Sequence, residues 1–329
     1  YQGIAHGADG IVYFLWRSAL IGAEQWHAGI VPHDGRPGRV YREIASLSRE
    51  LKALGPALAG TTPRAEVAMV LSFESLWALE HQPHNTELGD PWSHFRAAYR
   101  HLLAQHIPVD FVAPEQDLSG YRLVIAPALY VLRQAAAANL TRYVEGGGTL
   151  LVTVRAGEKT ETNRVVDIPF PGLLAPLLGV TVSEFDSRPA GEPVPVCIEG
   201  AGWGPATVTA DTWHELLEPA DAQVVARYGG GTYRGEPAVT WRPCGRGGAM
   251  YLGTMGTGVT GHLLDRLLAR VGVQAPVAVT APEAVEVTVR QGQGRKVVFL
   301  LNYSAEGQSV RLEGAAHDLL AGLDVQGTV

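Results

Sequence analysis

GADGIVYFLWRSALIGAEQWHAGIVPHDGRPGRVYREI, residues 7–44, reads as a strand, a long loop and the opening of a helix. GIVYFLW at 10–16 is a short apolar run bounded by GADG at 7–10, the pattern of a buried parallel strand. Residues 17–40 are irregular and end in the turn-rich HDGRPG at 33–38. Apolar residues at 40, 44, 47, 51 and 54 then mark one face of a helix, which Gly55 and Pro56 are expected to stop. Strand, loop and helix make one βα unit. Such a unit cannot bury its own strand and needs a neighbouring sheet, so residue 1 is expected to lie in the middle of something.

At the carboxyl end of a barrel strand, the side chains and the following loop face the active site. Phe14, Trp16 and Arg17 occupy that strand end, and Glu24 and His27 lie on the loop beyond it. A carboxylate can accept hydrogen bonds from two neighbouring hydroxyls, an imidazole can add another, and an aromatic face can cover the apolar side of a pyranose. Glu-x-x-His is also half of a di-metal site in helical bundles, although no second copy accompanies it here. A third reading is a helix-terminal charge with a surface histidine.

Outward from this stretch, residues 63–273 alternate strands with helices. Strands are expected at 66–73, 109–112, 123–126, 149–154, 223–227, 238–241 and 249–253, and helices at 92–105, 133–145 and 261–271. The alternation implies a mostly parallel, doubly wound sheet, and no proline falls inside any of these strands. After 276 the pattern becomes all-β: 284–290 and 296–302 flank a Gln-Gly-Gln-Gly turn as a hairpin, and 309–313 alternates again. The domains expected are 1–60, 61–275 and 276–329.

Composition limits the function classes. The 329 residues are 46% hydrophobic and 18% charged, enough apolar content to bury a sizeable core. A formal net charge of −7 without a basic cluster argues against a nucleic-acid partner. The longest apolar run, 123–132, is broken by Pro127 and too short to span a bilayer, so no membrane partner is expected. Two cysteines, Cys197 and Cys244, could pair, but so sparse a count fits free core thiols in a reducing compartment, and neither has zinc-ligand spacing.

AHGADGIVYFLWR, GAEQWHAG and HDGRPGR, in this order, closely resemble the last βα unit of the catalytic (β/α)8 TIM barrel in glycoside hydrolase family 42 β-galactosidases. Residues 63–275 resemble the family's second domain, a flavodoxin-like, degenerate relative of class I glutamine amidotransferases used for trimer formation. Residues 276–329 resemble its small C-terminal β-domain. The resemblance implies a cytoplasmic homotrimer that hydrolyses terminal non-reducing β-D-galactosides with retention. It also implies that Phe14, Glu24 and His27 line the galactose subsite, with Trp16 and Arg17 as neighbours. Both family catalytic carboxylates, the acid/base following an Asn, would precede Tyr1. No Asn-Glu pair occurs here, so no residue of this chain is assigned as acid/base or nucleophile. No cofactor is expected. The family's structural zinc, where present, would be held by cysteines upstream.

Two rival functions have sequence features that speak to them. GTGVTG at 256–261 has the glycine spacing of a dinucleotide loop after a strand and before a helix, but no second βαβ half follows. An active amidotransferase places a cysteine nucleophile on the turn after a central strand. Here GTLLVTV at 148–154 continues into Arg155, Ala156 and Gly157, which makes the domain catalytically silent. The remaining rival is a non-catalytic oligomerisation or carbohydrate-binding module. Trp77, Trp92, Trp203 and Trp213 could serve either a core or a subunit interface.

Overall fold

The computed structural model describes residues 1–84, 90–189, 191–200 and 202–328. The chain divides into two compact units, one of Ala65–Ala275 and one combining Tyr1–Arg64 with Pro276–Val329. In chain order, the second unit starts with α1 (Gln2–Ala5) and α2 (Arg39–Leu58). The α/β unit comprises β1 (Val67–Val70), α3 (Phe73–His81), α4 (Ser93–Ala104), β2 (Val109–Val112), β3 (Leu123–Ala126), α5 (Gln134–Glu145), β4 (Thr149–Thr153) and α6 (Ala175–Leu178). It continues with β5 (Val180–Ser187), β6 (Val194–Ile198), β7 (Ala206–Pro219), β8 (Gln223–Tyr228), β9 (Pro237–Cys244), β10 (Gly247–Leu252), β11 (Thr254–Met255) and α7 (Thr257–Val271). The split unit is completed by β12 (Val279–Thr280), β13 (Val285–Gly292), β14 (Arg295–Asn302), β15 (Arg311–Asp318) and β16 (Leu323–Thr328).

The α/β sheet runs β11-β7-β6-β8-β9-β10-β4-β3-β1-β2, with β5 on β7. Its parallel half is layered on both faces, and period-2 alternation assigns each side chain to one layer. Val67, Met69, Leu123, Ile125 and Leu151 point into the core shared with α4 and α7. Ala68, Val70, Val124, Ala126, Leu150 and Val152 point into the core shared with α5 and α6. The expectation of a mostly parallel sheet holds for β2, β1, β3, β4 and β10 only. From β10 outward, pairing through β9, β8, β6 and β7 is antiparallel. Among the described residues no helix lies between β6, β7, β8, β9 and β10, so hairpins replace crossovers.

Two expectations are corrected. Residues 10–16 form no strand; Val12 is 98% and Phe14 71% exposed, because no strand among the described residues lies alongside to pair with them. Helix α2 does not stop at Pro56 but runs to Leu58, and Arg295 closes its end by donating from Nη2 to the carbonyls of Pro56 and Ala59 at 3.0 and 2.7 Å.

The split unit is held by Arg290 on β13, 2% exposed. Its Nη1 donates to the carbonyls of Ile4 and Ala8, both at 2.9 Å. Its Nη2 donates to Asp9 Oδ1 and the Thr61 carbonyl at 2.6 and 2.7 Å, and Nε to Thr61 Oγ1 at 3.2 Å. A small core of Ile4, Ala5 and Phe299 packs beside it. His6 and Glu286 pair across the same seam. Arg290→Ala strands two buried carbonyls and a part-buried one and is expected to cost the split unit about 3 kcal/mol. Arg290→Lys, which keeps the charge but loses the fork, should cost less. Hydrogen exchange should speed up in α1 and β13 while β3 and β4 stay protected; unchanged exchange in α1 would contradict the assignment.

Candidate functional site

The loop after residue 14 is closed on itself by backbone pairing. Ile30 and Val31 donate to the carbonyls of Leu15 and Trp16, both at 2.9 Å, and Ser18 donates back to Val31 at 3.2 Å. Gly29 donates to Ser18 Oγ at 3.0 Å. A Cβ at Gly29 would stand 2.5 Å from the Ser18 nitrogen, so only glycine permits this approach. The side chains add further ties. Arg17 Nε donates to the His33 carbonyl at 3.0 Å, His33 Nε2 pairs with the Gln25 carbonyl at 2.6 Å, and Trp26 meets the His33 ring at 5.7 Å.

Within this frame the five candidate residues divide. Phe14 and His27 come together edge-on, with ring centroids 6.4 Å apart. The His27 N–H donates to the Glu24 carbonyl at 3.0 Å, so a tight turn carries both residues of the Glu-x-x-His pair. All three side chains are exposed. Trp16 leans instead on Tyr41 of α2 at 6.2 Å, and Arg17 is committed to the loop carbonyl. The geometry offers an exposed carboxylate, an imidazole and an aromatic edge in one exposed loop, a set suited to hydroxyl recognition. Sequence reasoning missed Gly29, Gln25, His33 and Tyr41, whose roles come from closure of the loop, which no spacing rule encodes.

In the α/β unit, the turn after β4 is occupied by a buried guanidinium. Arg155 adopts φ +62° and is fully buried. Its backbone N–H donates to Glu215 Oε1 at 3.0 Å, and its guanidinium lies 4.6 Å from the Tyr130 ring and 5.0 Å from Trp213. Glu215 also accepts from Trp213 Nε1 at 3.0 Å and from the Tyr251 hydroxyl at 2.7 Å. Lys159 donates to Gln82 Oε1 at 2.6 Å. Burial, reinforced by Glu215, pushes Glu158 up to about 8 despite the nearby Arg155 and Lys159. Burial holds His94 down at about 3 and His214 at about 4. The turn that would carry an amidotransferase nucleophile is thus filled by a structural cation.

Other motifs resolve into packing. Gly256, at φ +147°, caps α7, and a Cβ there would stand 2.8 Å from the Ala210 Cα. The α7 N-terminus is therefore covered by β7 rather than open to a phosphate. Trp203 and Trp213 are core residues; Trp77 and Trp92 are exposed. Cys197 and Cys244 are free. Among the described residues no three His, Cys, Asp or Glu side chains gather to hold a metal, and these two thiols do not fit the structural zinc that the resemblance implies. Among the described residues no helix is long and apolar enough to cross a membrane.

Residues 65–278 match the family model described as β-galactosidase trimerisation domain, residues 1–54 that of β-galactosidase, and residues 284–329 that of the β-galactosidase C-terminal domain. β-Galactosidase LacZ of Heyndrickxia coagulans is 35% identical over 325 residues, covering 98% of this chain and 48% of that protein. β-Galactosidase BgaB of a Geobacillus strain is 36% identical over 308 residues, covering 92% and 44%. Among solved structures, the β-galactosidase of Bacillus circulans sp. alkalophilus superposes with a TM-score of 0.88 at 28% identity, over 100% of this chain and 49% of that one. A catalytic mutant of Gan42B, a GH42 β-galactosidase of G. stearothermophilus, gives 0.89 at 30% identity, over 100% and 48%. The chain spans about half the length of the curated relatives it matches.

The buried carboxyl of Glu158 sets a pH dependence. Its value rises from 4.5 to about 8 on folding, so its contribution to stability is full below about 4.5 and is lost as the pH climbs through 8. His94 and His214 run the other way: their contribution is present above 6.5 and is lost as the pH falls toward 4 and 3. Comparing Glu158→Gln with the parent isolates the first effect. Urea unfolding should show the variant gaining on the parent as pH rises from 5 to 8, by on the order of 3 kcal/mol at pH 7.5. A difference that does not change with pH would refute the buried, protonated carboxyl.

Proposed function

We propose the function of this chain from one premise: it belongs to the glycoside hydrolase family 42 β-galactosidases. The chain supplies the substrate-positioning and assembly parts of an enzyme that hydrolyses terminal non-reducing β-D-galactosides with retention. Phe14, Glu24 and His27 contact the galactose, with Trp16 and Arg17 behind them. The observation that carries this reading is the closed loop at 14–33, which presents a carboxylate, an imidazole and an aromatic ring without burying them. Exposed Val12, Phe14, Ile21 and Trp26 support it further, since the last βα unit of a barrel offers such a surface to neighbouring strands.

Retention needs an acid/base and a nucleophile about 5–5.5 Å apart across the scissile bond. We assign neither to this chain. Glu24 instead holds sugar hydroxyls, and it acts by fixing the anomeric carbon relative to that pair. The α/β unit forms a homotrimer in the cytoplasm, with no nucleic-acid or membrane partner. The order β2-β1-β3-β4 supports a flavodoxin-like, amidotransferase-derived ancestry, with the former nucleophile turn now structural.

Grafted in place of the matching half of the Heyndrickxia coagulans relative, this chain should give an active chimera in which Glu24→Ala lowers kcat/KM on a chromogenic β-galactoside about 100-fold. A variant within twofold of its parent would remove Glu24 from the subsite. In sedimentation velocity the chain itself should run at three times its monomer mass, and a monomer at micromolar concentration would contradict the assembly role.

A further inference from the structure

A cavity of about 660 Å³ opens in the α/β unit at the amino-terminal edge of its parallel strands. Its walls come from the starts of β3 and β4, the ends of α5 and α7, and the β9–β10 hairpin. Four arginines line it, Arg122, Arg142, Arg246 and Arg270, in a chain whose formal net charge is −7. Arg122 is balanced by Glu66 at 2.8 Å and donates to the carbonyls of Val271 and Gly272 at the end of α7. The other three form no ion pair among the described residues.

Their existing contacts leave most of their donors unused. Arg246 gives one N–H to the Gly146 carbonyl at 2.7 Å, and Arg142 gives one to Asn139 Oδ1 at 3.1 Å. The Arg270 guanidinium makes no hydrogen bond among the described residues. It lies 4.8 Å over the Trp241 ring and 5.5 Å from Trp203, both buried, which fixes its position. Among the described residues Asp117 is the only carboxylate in the lining, and Ser119 already donates to it from its N–H and hydroxyl at 2.9 and 3.0 Å. Helix-end capping uses only part of this cluster. Arg142 and Arg270 stand in the last turns of their helices, where the dipole favours cations. Arg246 adds a bond to the C-cap carbonyl of α5, yet these contacts use only a few of the donors that the three exposed guanidiniums carry.

We propose that this cavity is a binding site for a small anion carrying a phosphoryl group. Guanidinium forks match phosphate oxygens in geometry and strengthen the hydrogen bonds by charge. The volume lies in the range of metabolite sites, roughly 300–1,000 Å³. A free phosphate and a sugar phosphate share this chemistry.

The test is calorimetric titration of the full chain with inorganic phosphate, pyrophosphate and a hexose phosphate, at ionic strength matched with potassium chloride. Neutral hexose serves as control. Saturable binding of a phosphate probe is expected, at least tenfold weaker in Arg142→Ala/Arg246→Ala. Both side chains are exposed, and Arg142→Lys/Arg246→Lys, which retains charge without the fork, should fall between. Tighter binding of the hexose phosphate than of phosphate would identify the sugar phosphate as ligand, and equal binding the free ion; either supports the site. Three results would overturn it: no saturable binding of any phosphate probe, binding unchanged in the alanine double variant, or equal binding of the neutral hexose.

Discussion

A backbone strand is satisfied only by hydrogen bonds along its edges, and every apolar run in this molecule is sorted by whether it finds them. Those at 67–70, 123–126 and 149–153 find parallel partners and are covered on both faces, so they form the rigid centre of the α/β unit. GIVYFLW at 10–16 is as apolar as they are but has no strand partner among the described residues. It forms no strand and stays largely exposed, its backbone tied to its own returning loop through Leu15, Trp16 and Ser18. The segment that bears the candidate sugar contacts is therefore shaped by the loop, which holds Phe14 beside His27, and its apolar faces are left for other strands to cover.

Guanidinium groups take over where apolar packing ends. Arg290 and Arg155 both follow a Val-Thr-Val segment, the first within β13 and the second two residues past the end of β4. Both are buried where the chain must turn or be joined to a distant segment. Arg290 gathers three carbonyls and a carboxylate from residues 4–9 and 61 onto one hairpin. Arg155 sits between two aromatic rings with Glu215 on its backbone. A buried cation of this kind fixes which segments meet, because no other side chain offers five donors in one plane.

Much of this could be read from the sequence, and the failures have physical causes. The parallel strands and the helices at 93–104 and 134–145 stood out because one period ran uninterrupted through each. Strands β5, β6 and β7 were missed: they are half-exposed, and β6 carries Pro195, which argues against a central strand. Pro195 is tolerated because it lies beyond the residues of β6 that pair with β8, Val196–Ile198, where its missing N–H interrupts no run of the ladder and its carbonyl accepts from Gly229 at 2.7 Å. For the candidate site, residue types at 14, 24 and 27 were legible, while the pairing of Phe14 with His27 and the dependence on Gly29 were not. Those depend on a loop closing over eleven residues, and periodicity carries no information about closure. The arginine cavity was invisible for the same reason: its four residues are spread over about 150 positions and share no motif.

The proposed roles of this chain are recognition and assembly, without either of the carboxylates that break the glycosidic bond. Hydrolysis of a chromogenic β-galactoside by the purified 329-residue chain tests that division most directly. No turnover above buffer is expected, with galactose still perturbing the signals of Phe14 and His27. Robust turnover, with no other polypeptide in the preparation, would mean that the acid/base and nucleophile lie within these residues and that the roles given to Glu24 and its neighbours are wrong.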